Sequence, residues 1–124
     1  MQLAPMLSVR GGKEAVAFYA AAFGATATIH AEDGDGRVVA ELRAGEAHFW
    51  LADESPENGN FAPPSLDGST TRMILTVDDP DTVFDQAIAA GATSVWPVAD
   101  AYGWRIGRIA DPFGHHWEIG RPLS

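Results

Sequence analysis

The sequence predicts an α+β fold in which two tandem βαβββ units form a curved mixed sheet around a cavity. The first observation behind this is an internal repeat. Leu7-Ser8-Val9 returns as Leu75-Thr76-Val77, Phe23-Gly24-Ala25 as Ala90-Gly91-Ala92, and Ala47-His48-Phe49-Trp50-Leu51 as His115-His116-Trp117-Glu118-Ile119, at a steady offset of 67 or 68 residues. The second is a change of hydrophobic period within each copy, from alternating residues to the i, i+3, i+4 spacing of a helix and back. The third is punctuation: Gly, Pro and Asp-Gly clusters divide each copy at matching places.

In the first unit, Leu3 to Val9 is a short apolar run that reads as a strand, ended by Arg10-Gly11-Gly12. A helix follows from Lys13 to Phe23, with Val16, Tyr19, Ala20 and Phe23 as its buried stripe and Gly24 as a left-handed cap. Gly11-Gly12 lacks the spacing and the Lys-Ser/Thr ending of a phosphate loop and is a plain turn. Ala25 to Ala31 and Arg37 to Arg43 are strands joined by the hairpin signal Asp33-Gly34-Asp35-Gly36, which has no distal Glu to make it a calcium loop. Ala47 to Asp53 closes the unit, with Phe49 and Leu51 on one face and His48 and Trp50 on the other.

Glu54 to Ser69 holds Pro56, Asn58-Gly59, Pro63-Pro64 and Asp67-Gly68 and reads as a linker or ordered loop, with Phe61 placed to tuck back onto the body or over a pocket mouth. The expected organisation is thus one domain of two modules, about 1–53 and 70–121, joined by the loop 54–69. In the second module, Thr70 to Val77 is a strand. Asp79-Pro80 caps and starts a helix carrying Val83, Phe84, Ala87 and Ile88 inward, and Gly91 ends it. Ala92 to Val98, Trp104 to Ala110 and His115 to Gly120 are the remaining strands, the last entered through the tight turn Asp111-Pro112-Phe113-Gly114.

Composition narrows the function. The chain is 46% hydrophobic and 20% charged, ordinary for a globular protein, and has no cysteine for disulfide or thiolate chemistry. A net charge of -9 repels phosphate backbones and anionic membranes, so neither nucleic acid nor a membrane is an expected partner. No run spans a bilayer and the start lacks the plan of a signal peptide, so a cytoplasmic location is expected. On the strand faces turned from the helices, Ala4, Met6, Ser8, His48, Trp50, Arg72, Ile74, Thr76, His116 and Glu118 are too polar for a core and too aromatic for open surface. A cavity for a small molecule is the natural inference.

The paired units, together with Tyr102-Gly103-Trp104-Arg105 leading into the run Asp111 to Ile119, resemble the vicinal oxygen chelate superfamily, which includes glyoxalase I, bleomycin-resistance proteins and extradiol dioxygenases. The resemblance spans Leu3 to Pro122 and is nearest to the PhnB-like branch. Enzymes of the superfamily hold a metal on four strands. The matching positions here are Ala4, Trp50, Arg72 and Glu118, of which only Glu118 is a usable ligand. The resemblance therefore implies a small-molecule-binding protein of the glyoxalase/bleomycin-resistance-like type with a degenerate metal site and no cofactor. It also implies a homodimer whose two chains complete each cavity.

The expected ligand-binding residues are His48, Trp50, Arg72, Trp104, His116 and Glu118. Either Arg72 and Glu118 pair with each other, or Arg72 binds an anionic ligand group while Glu118 orients it or moves a proton. Trp50 and Trp104 are candidates for stacking on a planar or cationic ligand, with the facing of Trp104 dependent on whether a bulge follows Tyr102-Gly103. The rival readings are enzymes: a displaced divalent-metal site of His48, His116 and Glu118, suited to iron or zinc in a lyase or dioxygenase, or metal-free catalysis with Glu118 as base. His115 is expected to point away from the site and His30 to lie on a surface strand.

Overall fold

In the computed structural model, which describes residues 1–124, the elements run β1 (Met6–Val9), α1 (Gly12–Phe23), β2 (Thr26–Glu32), β3 (Val38–Ala44), β4 (Ala47–Asp53), α2 (Pro63–Leu66), β5 (Arg72–Thr76), α3 (Pro80–Ala90), β6 (Thr93–Ala101), β7 (Trp104–Ala110) and β8 (His116–Pro122). The sheet is in two four-stranded halves of identical order, β1-β4-β3-β2 and β5-β8-β7-β6. In each half the first strand pairs in parallel with the last and the other pairs are antiparallel. The parallel pair exists because the module's helix and two further strands separate its partners in sequence, room enough for a crossover. The repeat seen in the sequence is thus a repeat of topology.

Each helix covers one face of its own half: α1 packs on β3 and β4, α3 on β6, β7 and β8. The two helices also touch, which merges both modules into one core holding Val9, Phe18, Tyr19, Leu42, Phe49, Leu51, Phe84, Ile109, Trp117 and Ile119. Aromatic rings cross the module boundary: Tyr19 of α1 lies 5.5 Å from Trp117 of β8, and Phe18 lies 6.1 Å from Phe113. Alternation along β4 and β8 sends Phe49, Leu51, Trp117 and Ile119 to this core and leaves His48, Trp50 and His116 half-buried on the opposite, open faces.

The helices end as expected. Gly24 adopts φ 68° and its N–H returns to α1 carbonyls, and the Asp79 side chain accepts from the Thr82 N–H at the start of α3. The buried stripe of α1 differs from the sequence expectation. It is Ala15, Phe18, Tyr19 and Ala22, with Val16 and Phe23 at its margins, while Ala20 is exposed. Contact with α3 as well as the sheet rotates the buried face toward Phe18 and Ala22. The first strand begins at Met6, and of the residues that lead in, Pro5 still accepts from the Trp50 N–H of β4.

The segment 54–69 is an ordered loop with two short helical turns, Pro56–Asn58 and Pro63–Leu66. Glu54 organises it, accepting from the Ala62 N–H, the Ser65 hydroxyl and Arg10. These contacts hold the Glu54 carboxyl at about 2 against an ordinary 4.5, with the Ser65 hydrogen bond the largest cause. No helix is long and apolar enough to cross a membrane.

Candidate functional site

The closing turn that leads into β8 is built on a buried carboxylate. Asp111 accepts from the backbone N–H of Phe113 and of His115, from Trp117 Nε1 at 2.9 Å, and from the Tyr19 hydroxyl at 2.5 Å. The Tyr19 hydroxyl is pushed well above its ordinary pKa, chiefly by burial and then by the adjacent Asp111 charge. One side chain therefore sets the turn, orients the indole of β8 and ties the second module to α1 of the first. Gly114 completes the turn at φ 90°, and a Cβ there would stand 2.7 Å from Pro63 Cβ, so the connecting loop packs directly on it. His115 spans the modules, its Nε2 lying 2.8 Å from the Ser8 carbonyl.

On the open face of the second half, Arg72, His116 and Glu118 stand together. Arg72 is in register with His116, Ile74 with Glu118, and Glu118 with Arg108 of β7. Arg72 Nε is ion-paired with Glu118 Oε2, and Arg108 Nη2 approaches the same oxygen at 3.5 Å. Pairing of Arg72 with Glu118 is thus the arrangement the chain adopts. The Arg108 guanidinium lies 5.6 Å from the centre of the Trp96 ring. Trp104 shares this face: the β7–β8 register is unbroken from Trp104–Pro122 to Ala110–His116, and the irregularities fall in β6 between Ser94 and Ala99. Ile74, Trp96, Tyr102, Trp104 and Ile106 wall an open hollow of about 550 Å³ with Glu118 at its edge.

His48 and Trp50 lie elsewhere, on the open face of the first half. There His48 Nε2 is 2.6 Å from Glu41 Oε2, and His30 Nε2 is 3.1 Å from the other Glu41 oxygen. The His30 ring sits 4.8 Å from that of Trp50. His30 lies on an exposed strand as expected, and alternation from Thr28, which pairs with Glu41, puts it on the face of this cluster. The chain places Arg72, Trp104, His116 and Glu118 on one surface and His48 and Trp50 on another. Glu41, Arg108 and Trp96 were not singled out from sequence. Their signal is the strand partner opposite a candidate: Glu41 faces Trp50 and Arg108 faces Glu118.

The donor set does not suit the superfamily's metal. Of the four corresponding positions only Glu118 carries a ligand group, and two guanidiniums occupy its carboxylate. Within the chain His48 is engaged by Glu41 on the other four-stranded half from Glu118, and no group of three His, Asp or Glu side chains, the cluster at Glu41 included, is arranged to hold a metal ion.

The family described as Glyoxalase-like domain matches residues 6–120. The chain is similar to the uncharacterized protein Rv0887c of Mycobacterium tuberculosis, 38% identical over 98% of this chain and 74% of that one. Among solved structures its fold is similar to a glyoxalase/bleomycin resistance protein/dioxygenase family enzyme from Burkholderia phytofirmans, with TM-score 0.77, 20% identity and coverage of 99% of this chain and 100% of that chain. It is also similar to TnmS3, an antibiotic binding protein from Streptomyces, with TM-score 0.71, 17% identity and coverage of 98% and 96%. Two βαβββ modules of identical strand order, matched from the first strand to the last, make this chain a member of the glyoxalase-like domain family within the vicinal oxygen chelate superfamily.

Proposed function

We propose that the protein binds a small, planar, largely apolar molecule in the hollow on the second half, without the superfamily's metal, and that it works as a homodimer. The observation that carries this is the aromatic wall of Trp96, Tyr102 and Trp104 with Ile74 and Ile106 around about 550 Å³, a volume suited to a drug-sized ligand. The antibiotic-binding activity named for TnmS3, a protein of the same fold, supports the reading, and the closing turn and strand support a place in the PhnB-like branch. The second copy is the occupant we assign to the open faces. Met6 and Ile74 are 53% and 56% exposed on them, apolar area that a monomer would leave in water. The first half presents Glu41 where the second presents Arg108, so one copy's first half complements the other's second.

Tryptophan fluorescence titration with naphthamide, a neutral planar probe, tests the seat. Saturable quenching that is lost in Trp104→Ala is expected, and unsaturable quenching would sink the reading. Metal analysis of protein purified without chelator should show no stoichiometric zinc, iron, nickel or manganese. Sedimentation should give twice the chain mass.

A further inference from the structure

Beside the hollow lies a separate pocket of about 120 Å³ with no apolar lining, formed by Ser69, Thr70, Thr71, Arg72, Arg108 and His116. At about 30 Å³ per water it has room for roughly four, the scale of one small oxyanion. Two features of the residues that line it are unresolved within the chain. Arg108 Nε and His116 Nδ1 are both buried and have no hydrogen-bond partner, whereas buried polar atoms in folded proteins are ordinarily satisfied by protein, water or an ion. The charge is also unbalanced, because Arg72 and Arg108 share the single carboxylate of Glu118 and leave one positive charge over. That surplus sits in a chain whose net charge is -9. The Trp96 ring offsets part of the cost of burying the Arg108 guanidinium but offers nothing to Nε–H.

We infer that this pocket is an oxyanion site, which takes the carboxylate, phosphonate or phosphate group of a ligand whose apolar body lies in the adjoining hollow. Guanidinium N–H groups match such oxygens in geometry and charge. An N–H of the His116 ring adds a donor, and the threonine hydroxyls of 70 and 71 add more. Register makes the two compartments neighbours: Arg72 and Ile74 alternate along β5, and Arg108 pairs with Trp96 on β6. The Glu118 carboxylate, held by both guanidiniums, divides the two spaces and rejects an anion placed too far toward the hollow. The ligand class is therefore an aromatic acid, an assignment that rests on the hollow being the ligand's seat.

The full-length protein is titrated with naphthoate, with naphthamide and with inorganic phosphate, reading tryptophan fluorescence and the arginine Nε–H resonances. Naphthoate is expected to bind about tenfold or more tightly than naphthamide. Phosphate should shift the Arg108 Nε–H resonance saturably and compete with naphthoate but not with naphthamide. Arg108→Met and, separately, the exposed Arg72→Met should remove the preference for the acid over the amide, the ratio of the two affinities falling to about one. Equal affinities for acid and amide, with the amide still bound, would overturn the oxyanion site and leave the hollow standing. A saturable phosphate response with neither aromatic bound would keep the oxyanion site and overturn the hollow. No response to any of the three would overturn both.

Discussion

The two open faces are built on one repeated backbone, yet they hold opposite chemistry. On the first, a carboxylate is flanked by two imidazoles: Glu41 meets His30 and His48, with Arg43 3.0 Å away. The His30 hydrogen bond, then that of His48 and the charge of Arg43, hold the Glu41 carboxyl below the ordinary value of 4.5. On the second, a carboxylate is flanked by two guanidiniums, and the place equivalent to Glu41 is Arg108. The pocket with unpaired donors appears only on the second. The comparison teaches that the repeat preserves where side chains point while each copy's residues decide what the surface attracts.

The modules also differ in how they are anchored, and the strongest test of that difference is Asp111. Its turn ties the second module to α1, whereas the corresponding turn of the first, Ala44-Gly45-Glu46, carries no such residue. Asp111→Ala leaves the Tyr19 hydroxyl, Trp117 Nε1 and two backbone N–H groups unpaired in the core. A loss of about 3–5 kcal/mol in urea unfolding is expected. A loss below 1 kcal/mol, on the same scale, would show the anchor to be dispensable.

Glu118→Ala comes next, at about 1–3 kcal/mol, because two guanidiniums lose their shared partner although Arg72 keeps access to water. Glu41→Ala on the first face should shift the urea midpoint less, since its partners His30 and Arg43 are largely exposed and regain water. Equal midpoint shifts would erase the contrast between the faces. Tyr19→Phe removes one of four donors to Asp111 and should cost about 1–2 kcal/mol, with near-ultraviolet circular dichroism reporting looser packing around Trp117.

The smallest effect is in pH. Glu54 has a folded value of about 2 against 4.5, so the stability it contributes is full above pH 4.5 and is lost as pH falls toward 2. Hydrogen exchange of residues 54–66 should quicken over that window while β8 stays protected. Uniform exchange across both would contradict a local role.

Much of this arrangement was legible in sequence. The repeat determined two βαβββ modules, and alternation determined the facing of Phe49, Trp50, Trp117 and Glu118, because side-chain direction on a strand follows from parity alone. Asp79-Pro80, Gly24 and Asp111-Pro112-Phe113-Gly114 determined the helix ends and the closing turn through local backbone preferences. Tertiary structure decided the rest. Contact between α1 and α3 rotated the buried stripe to Phe18 and Ala22, and the irregularity in β6 set Trp96 opposite Arg108. Lateral strand pairing brought Glu41 to Trp50 and Arg108 to Glu118 across the sheets. Periodicity describes one segment at a time, whereas a binding surface is made by residues from segments that meet only when the chain has folded.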